Sequence, residues 1–209
     1  MQPIFITGIG TDVGKTVVSA IVTQALKANY WKPIQAGFET GTDAQSVQHL
    51  TQLPINNFHK EVYKLAMPAS PHIAARVEQK HIQISEIMNV YQSLPHPLVI
   101  EGAGGLLVPL NENEFVIDII KQLQAKVILV SRNYLGSINH SLLTAAVCKQ
   151  HNIDVLGWIF NDQYLNYEAE IEAWSGFRKI ASIPFTNTLD SNFILQQANE
   201  ISPVLQQYL

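Results

Sequence analysis

Pro3-Ile4-Phe5-Ile6-Thr7 runs into Gly8-Ile9-Gly10-Thr11-Asp12-Val13-Gly14-Lys15-Thr16, and an apolar pattern of helical period follows from Val17. A short apolar run, a glycine-rich turn and a Lys-Thr pair opening a helix describe a loop built to hold phosphate. Glycines let successive backbone N–H groups turn towards an anion without side-chain clash. Lys15 adds a cation and Thr16 a hydroxyl for Mg²⁺, while the helix directs roughly half a positive charge at the same point. The spacing is Gly8-x5-Gly14-Lys15-Thr16, longer by one residue than the common Gly-x4-Gly-Lys-Thr form, because Ile9 stands where that form has glycine.

Outward from the loop, apolar runs recur at 3–7, 32–35, 98–101, 126–131, 155–160 and 179–183, most of them separated by segments of helical period. This alternation predicts an α/β fold: a single P-loop domain over residues 1–209, its β-sheet mostly parallel, with helices on both faces. Val17, Val18, Ile21, Val22, Ala25 and Leu26 give the helix after the loop a core-facing stripe that ends near Asn29. Ser85 reads as the N-cap of a second helix, which Pro95-His96-Pro97 closes before the next strand. From Pro54 to Pro71 no clear period is visible, and the strand around Lys32 is expected to be short.

At 209 residues, 47% hydrophobic and 14% charged, the chain has the composition of an ordinary globular protein. A net charge of -4 without basic clusters argues against nucleic acid as a partner. Its one cysteine, Cys148, lies in a helical run and reads as a buried, inert thiol. No export signal or run long enough to span a bilayer is visible, so the expectation is a cytoplasmic protein without a membrane partner.

Ligands of an open parallel sheet lie beyond the carboxyl ends of its strands. Glu101 ends one such run and precedes the flexible turn Gly102-Ala103-Gly104-Gly105, where a carboxylate is placed to hold Mg²⁺ beside phosphates. Asp43 suits two roles equally, a metal ligand or the N-cap of the segment that follows it. Lys32 suits either a phosphoryl-stabilising cation or a solvated side chain. Asp12, a carboxylate inside a phosphate loop, is explained by an amine-bearing substrate. Asn161 and Asp162 follow another strand and Pro184-Phe185 a further one; both pairs suit a base site or a turn. Leu135 to His140 opens a helix whose free N–H groups form an anion site. His72 and His140 lack a paired acid in the sequence and are not taken as catalysts.

Together, Gly8-x5-Gly14-Lys15-Thr16, Lys32-Pro33, Thr42-Asp43, Ser70-Pro71-His72, Glu101-Gly102-Ala103-Gly104-Gly105, Leu135-Gly136-Ser137-Ile138-Asn139-His140 and Gly157-Trp158-x2-Asn161-Asp162 resemble the dethiobiotin synthetase family. The matches run in order through nearly the whole chain, and the lengthened loop is the form that family uses. The resemblance implies an ATP-dependent cyclo-ligase of biotin biosynthesis acting on 7,8-diaminononanoate and CO2, with ATP and Mg²⁺ as its cofactors. By this mapping Lys15, Lys32 and Asp12 are catalytic, and Thr16, Asp43 and Glu101 hold the metal. Nucleotide contacts fall to Asp12 through Val17 of the loop (Val13 and Gly14 included), Gly102, Ala103, Gly104, Asn161, Asp162, Pro184 and Phe185. Ala36, Gly37 and Lys32 meet the substrate; so do Leu135, Gly136, Ser137, Ile138 and Asn139, contributed across a homodimer interface. Ala36 stands where many members carry Ser or Thr.

Two rivals share the loop. A nucleotide-switched partition or positioning ATPase typically carries an extra lysine early in the loop, where this chain has Gly10. A cobyrinate-type amide synthetase normally continues into a glutamine-hydrolysing domain with a cysteine nucleophile, for which 209 residues leave no room.

Overall fold

In the computed structural model, which describes residues 1–162 and 165–208, the apolar run that opens the chain forms β1 (Ile4–Gly8), buried along its whole length. A strand with no solvated face belongs inside a sheet. Accordingly β1 lies between β6 (Leu98–Glu101) and β7 (Lys126–Arg132). β2 (Asn29–Trp31) and β4 (Phe58–His59) continue the sheet past β6, and β8 (Val155–Asn161) and β9 (Lys179–Ile183) continue it past β7. Every pairing in this seven-stranded sheet is parallel. A second, two-stranded parallel sheet joins β3 (Ile34–Ala36) to β5 (Tyr63–Leu65).

Alternate residues of the strands feed two cores, one on each face. Ile4, Ile6, Val99, Ile128, Val130 and Ile159 pack with α1 (Lys15–Leu26), α2 (Asp43–Leu50) and α8 (Ser191–Leu205). Phe5, Ile100, Val127, Leu129, Trp158 and Phe160 pack with the other layer. That layer contains α3 (Pro71–Val77), α4 (Ile84–Tyr91), α5 (Val116–Leu123), α6 (Ser137–Gln150) and α7 (Glu168–Ser175). Each large apolar side chain so buried contributes about 1.5–3 kcal/mol. Among the described residues no helix is long and apolar enough to cross a membrane.

Several local expectations are corrected. The run at 32–35 is not one strand: β2 ends before it at Trp31, Lys32 and Pro33 follow, and β3 begins at Ile34. Proline donates no ladder hydrogen bond, and past it the chain leaves the main sheet for the small one. α4 begins at Ile84 with Gln83 as its N-cap residue, so Ser85 lies within the first turn rather than capping it. The unreadable stretch from Pro54 to Pro71 holds β4, β5 and a 3-10 turn over Ile55–Asn57, elements too short to show a period. Cys148 is buried as expected.

The chain leaves β1 towards β2 on one side and returns later to β7 on the other. A crevice therefore opens beyond the carboxyl ends of these strands, at the turn that follows β1.

Candidate active site

α1 starts at Lys15 with Gly14 as its N-cap residue, and no side chain caps its free amides. Gly14 has φ +87°, and a Cβ there would lie 2.3 Å from Asn161 Nδ2. Both facts require glycine. The loop is pinned from outside, because Asn161 Nδ2 donates to the Val13 carbonyl at 2.7 Å. Lys15 folds back over the turn and donates to the Gly10 carbonyl at 2.7 Å. Burial pulls its ammonium down to about 8 against the opposing attraction of Glu101, which leaves it charged at neutral pH.

Beside the helix start lies a compact ionic cluster. Lys32 Nζ donates to Glu101 Oε1 at 2.9 Å and also to Asp43 Oδ2. Thr16 Oγ1 lies 3.0 Å from Asp43 Oδ1 and 3.0 Å from Glu101 Oε1. Burial works against the Lys32 charge, but Glu101 and then Asp43 outweigh it and hold the ammonium above its ordinary range. Burial likewise opposes the Asp43 charge, and Lys32 reverses that, keeping the carboxyl below its ordinary range. Thr16, Asp43 and Glu101 thus present three hard oxygen donors at one point, a set suited to Mg²⁺. Asp43 is not the helix cap: Thr42 accepts from the Gln45 amide while Gln45 Oε1 accepts from the Thr42 amide.

Of the cavities that border the loop, two share Asp12 and Gly14 in their walls. The larger, of about 890 Å³, is walled by Lys15, Thr16, Lys32, Asp43 and Glu101, with Ala36, Gly37, Ala103 and Gly104 across from them. The smaller, of about 250 Å³, is lined by Val13, Val17, Asn161, Asp162, Pro184 and Phe185. One chamber is ionic and the other mainly apolar, and the phosphate loop is their common wall.

Gly102 borders neither cavity. Its N–H donates to the Ile6 carbonyl at 2.9 Å, and a Cβ would lie 2.7 Å from Phe5 Cε1. Its amide belongs to the sheet and its lack of a side chain to core packing. The 135–139 segment also lines neither cavity of its own chain. Its helix α6 starts behind Gly136 at φ +104° with no side-chain cap, and Leu135 is 84% exposed. His72 pairs with Ser70 Oγ at 3.0 Å and His140 with Tyr134 at 2.7 Å.

Four contributors went unread. Arg132 lines the smaller cavity and donates to Asp162 at 2.5 Å; it is the last residue of β7, so extending that run by one position would have flagged it. Leu189 and Phe193 add apolar wall from the start of α8 and the loop before it, a placement that carries no local signal. Gln35 accepts the Asp43 N–H at 3.0 Å and donates to the Gly37 carbonyl at 2.8 Å, bracing both sides of the ionic chamber.

Residues 2–192 match the family model described as an AAA domain. The ATP-dependent dethiobiotin synthetase of Cytophaga hutchinsonii is 51% identical over 161 residues, 77% of each chain. That of Christiangramia forsetii is 45% identical over 197 residues, 94% of each. Among solved structures, a ParA family ATPase from Chlorobium tepidum aligns at TM-score 0.59 with 12% identity, covering 95% of this chain and 97% of that one. The septum site-determining protein MinD of Pyrococcus horikoshii, complexed with Mg-ADP, aligns at TM-score 0.58 with 13% identity, covering 100% and 98%. At such identities these structures are alike in fold alone.

Proposed function

The chain belongs to the ATP-dependent dethiobiotin synthetase family, and from that premise we propose how its residues divide the work of closing a cyclic urea on 7,8-diaminononanoate. One amine takes up CO2 to give a carbamate. A carbamate oxygen attacks the γ-phosphorus of ATP, ADP leaves, and a carbamic-phosphoric anhydride results. The second amine then attacks the anhydride carbon, and phosphate departs as the ring closes.

No step needs a protein nucleophile; what the chemistry needs is cations and positioning. The observation that carries the reading is the gathering of Lys15, Lys32, Thr16, Asp43 and Glu101 on one cleft beside Ala36 and Gly37. Lys15 and Lys32 stabilise carbamate and phosphoryl oxygens. Asp12 faces the cleft from the loop and holds an ammonium of the diamine close to the phosphates. Thr16, Asp43 and Glu101 hold Mg²⁺, which when bound offsets the charge of the polyphosphate. The smaller cavity takes the adenine between Asn161, Asp162 and the Pro184-Phe185 wall. The uncapped start of α6, Leu135 to Asn139, receives the substrate carboxylate in the cleft of a partner subunit, in keeping with its lining neither the ionic nor the apolar cavity of its own chain. We read residues 1–209 as one domain, working as a cytoplasmic homodimer on small molecules.

Incubating the pure protein with the diamine, bicarbonate, Mg²⁺ and ATP should give dethiobiotin by mass spectrometry. ATP hydrolysis that requires a protein or DNA partner, with no dethiobiotin formed, would overturn the reading.

A further inference from the structure

Glu101 divides its two oxygens between two environments. Oε1 faces the ionic chamber, accepting from Lys32 at 2.9 Å and Thr16 at 3.0 Å. Oε2 accepts from the Tyr30 hydroxyl at 2.9 Å, its one donor among the described residues. Tyr30 is 0% and Glu101 1% exposed, so water is no substitute for that donor. The strand register sets Tyr30 beside Val99, two residues short of Glu101, and the phenol ring spans the offset. Phe58 on the neighbouring strand packs against that ring at a centroid distance of 6.3 Å, fixing its direction.

We propose that Tyr30 is a positioning residue that restricts Glu101 to a single metal-binding oxygen and so makes the site select Mg²⁺ over Ca²⁺. The inference rests on the assignment of Glu101 to Mg²⁺ made above. Mg²⁺ requires a near-ideal octahedron, which single oxygens supply; Ca²⁺ takes roughly six to eight ligands and readily uses both oxygens of a carboxylate. With Oε2 tied to a buried phenol, the two-oxygen mode is closed. Partners that orient a ligand in this way typically matter by about 10–100-fold in metal affinity.

The test displaces Mn²⁺ from the ADP-bound protein with Mg²⁺ or Ca²⁺, followed by electron paramagnetic resonance. Tyr30→Phe should lower the Mg²⁺/Ca²⁺ affinity ratio by about tenfold; an unchanged ratio overturns the proposal. Glu101→Gln separates the two levels of inference. If it leaves Mn²⁺ affinity intact, the metal assignment itself fails; if it weakens Mn²⁺ while Tyr30→Phe leaves the ratio alone, only the role of Tyr30 fails. A measurement on the natural protein guards against a Tyr30→Phe chain that does not fold. Infrared difference spectra against Glu101→Gln should show the wide carboxylate splitting of one-oxygen ligation with Ca²⁺ as with Mg²⁺. A splitting narrowed by Ca²⁺ overturns the proposal.

Discussion

Lys15 and Lys32 are both buried cations, yet they are held in opposite ways. Lys32 is locked between two carboxylates, whereas Lys15 rests on a neutral carbonyl, a partner that phosphate oxygens replace with gain. Lys15→Ala should lower kcat/KM by about 10²–10³-fold, ~3 kcal/mol of transition-state stabilisation, if it acts as one preorganised donor; retained turnover would refute the phosphate role. Gly14→Ala must adopt a positive φ and displace Asn161, so it should cost roughly 1–3 kcal/mol in urea denaturation. Gly10→Ala meets open space and should leave stability nearly unchanged. Cys148 gives a pH signature: burial raises its thiol from 9.0 to about 12. The folded chain therefore binds this proton more tightly than the unfolded chain does. Its contribution to stability is complete below pH 9.0 and is lost as pH rises through about 12. A thiol reagent at pH 8 should react no faster than the protein unfolds; rapid labelling would contradict the buried assignment. At this scale the sequence supplied candidates but not their partners. Glu101 was legible as a strand-end acid, while the choice between metal ligand and cap at Asp43 depended on where its side chain points.

Helix starts carry the next level of organisation. α1 and α6 both open behind glycine without a side-chain cap, leaving amides available to an anion. α2 is capped at both reciprocal positions by Thr42 and Gln45, and that cap sets the first residue, Asp43, towards Thr16. Thr42→Ala should cost about 1 kcal/mol by denaturation and also weaken Mn²⁺ binding; a stability loss with unaltered metal affinity would deny the cap its role in placing Asp43. The capping box was readable as Thr-x-x-Gln, a pattern more specific than the presence of a lone Asp. β2, β4 and β5 were not readable, because two or three residues are too few to display alternation. With β2 went Tyr30, whose partner lies 71 residues along the chain.

At the scale of the whole molecule, the phosphate loop divides an ionic chamber from an apolar one, while the α6 start lines neither. If that start serves a partner's cleft, two disabled chains should complement each other. Mixing Lys15→Ala with Asn139→Asp chains and letting them reassort should restore about a quarter of natural activity, since half the dimers are mixed and each has one intact site. No recovery, or a monomer by sedimentation, would show that each chain completes its own site. The sequence by itself determined the phosphate loop, the parallel alternation of strands and helices, and the family, because each is written in residues adjacent in the chain or in a repeating order. Only the tertiary structure decided that Lys32 joins Asp43 and Glu101, that the Gly102 amide belongs to the sheet, and that Tyr30 holds the second oxygen of Glu101. Those outcomes depend on strand order and on the direction of side chains brought together from distant positions, and neither is encoded in local spacing.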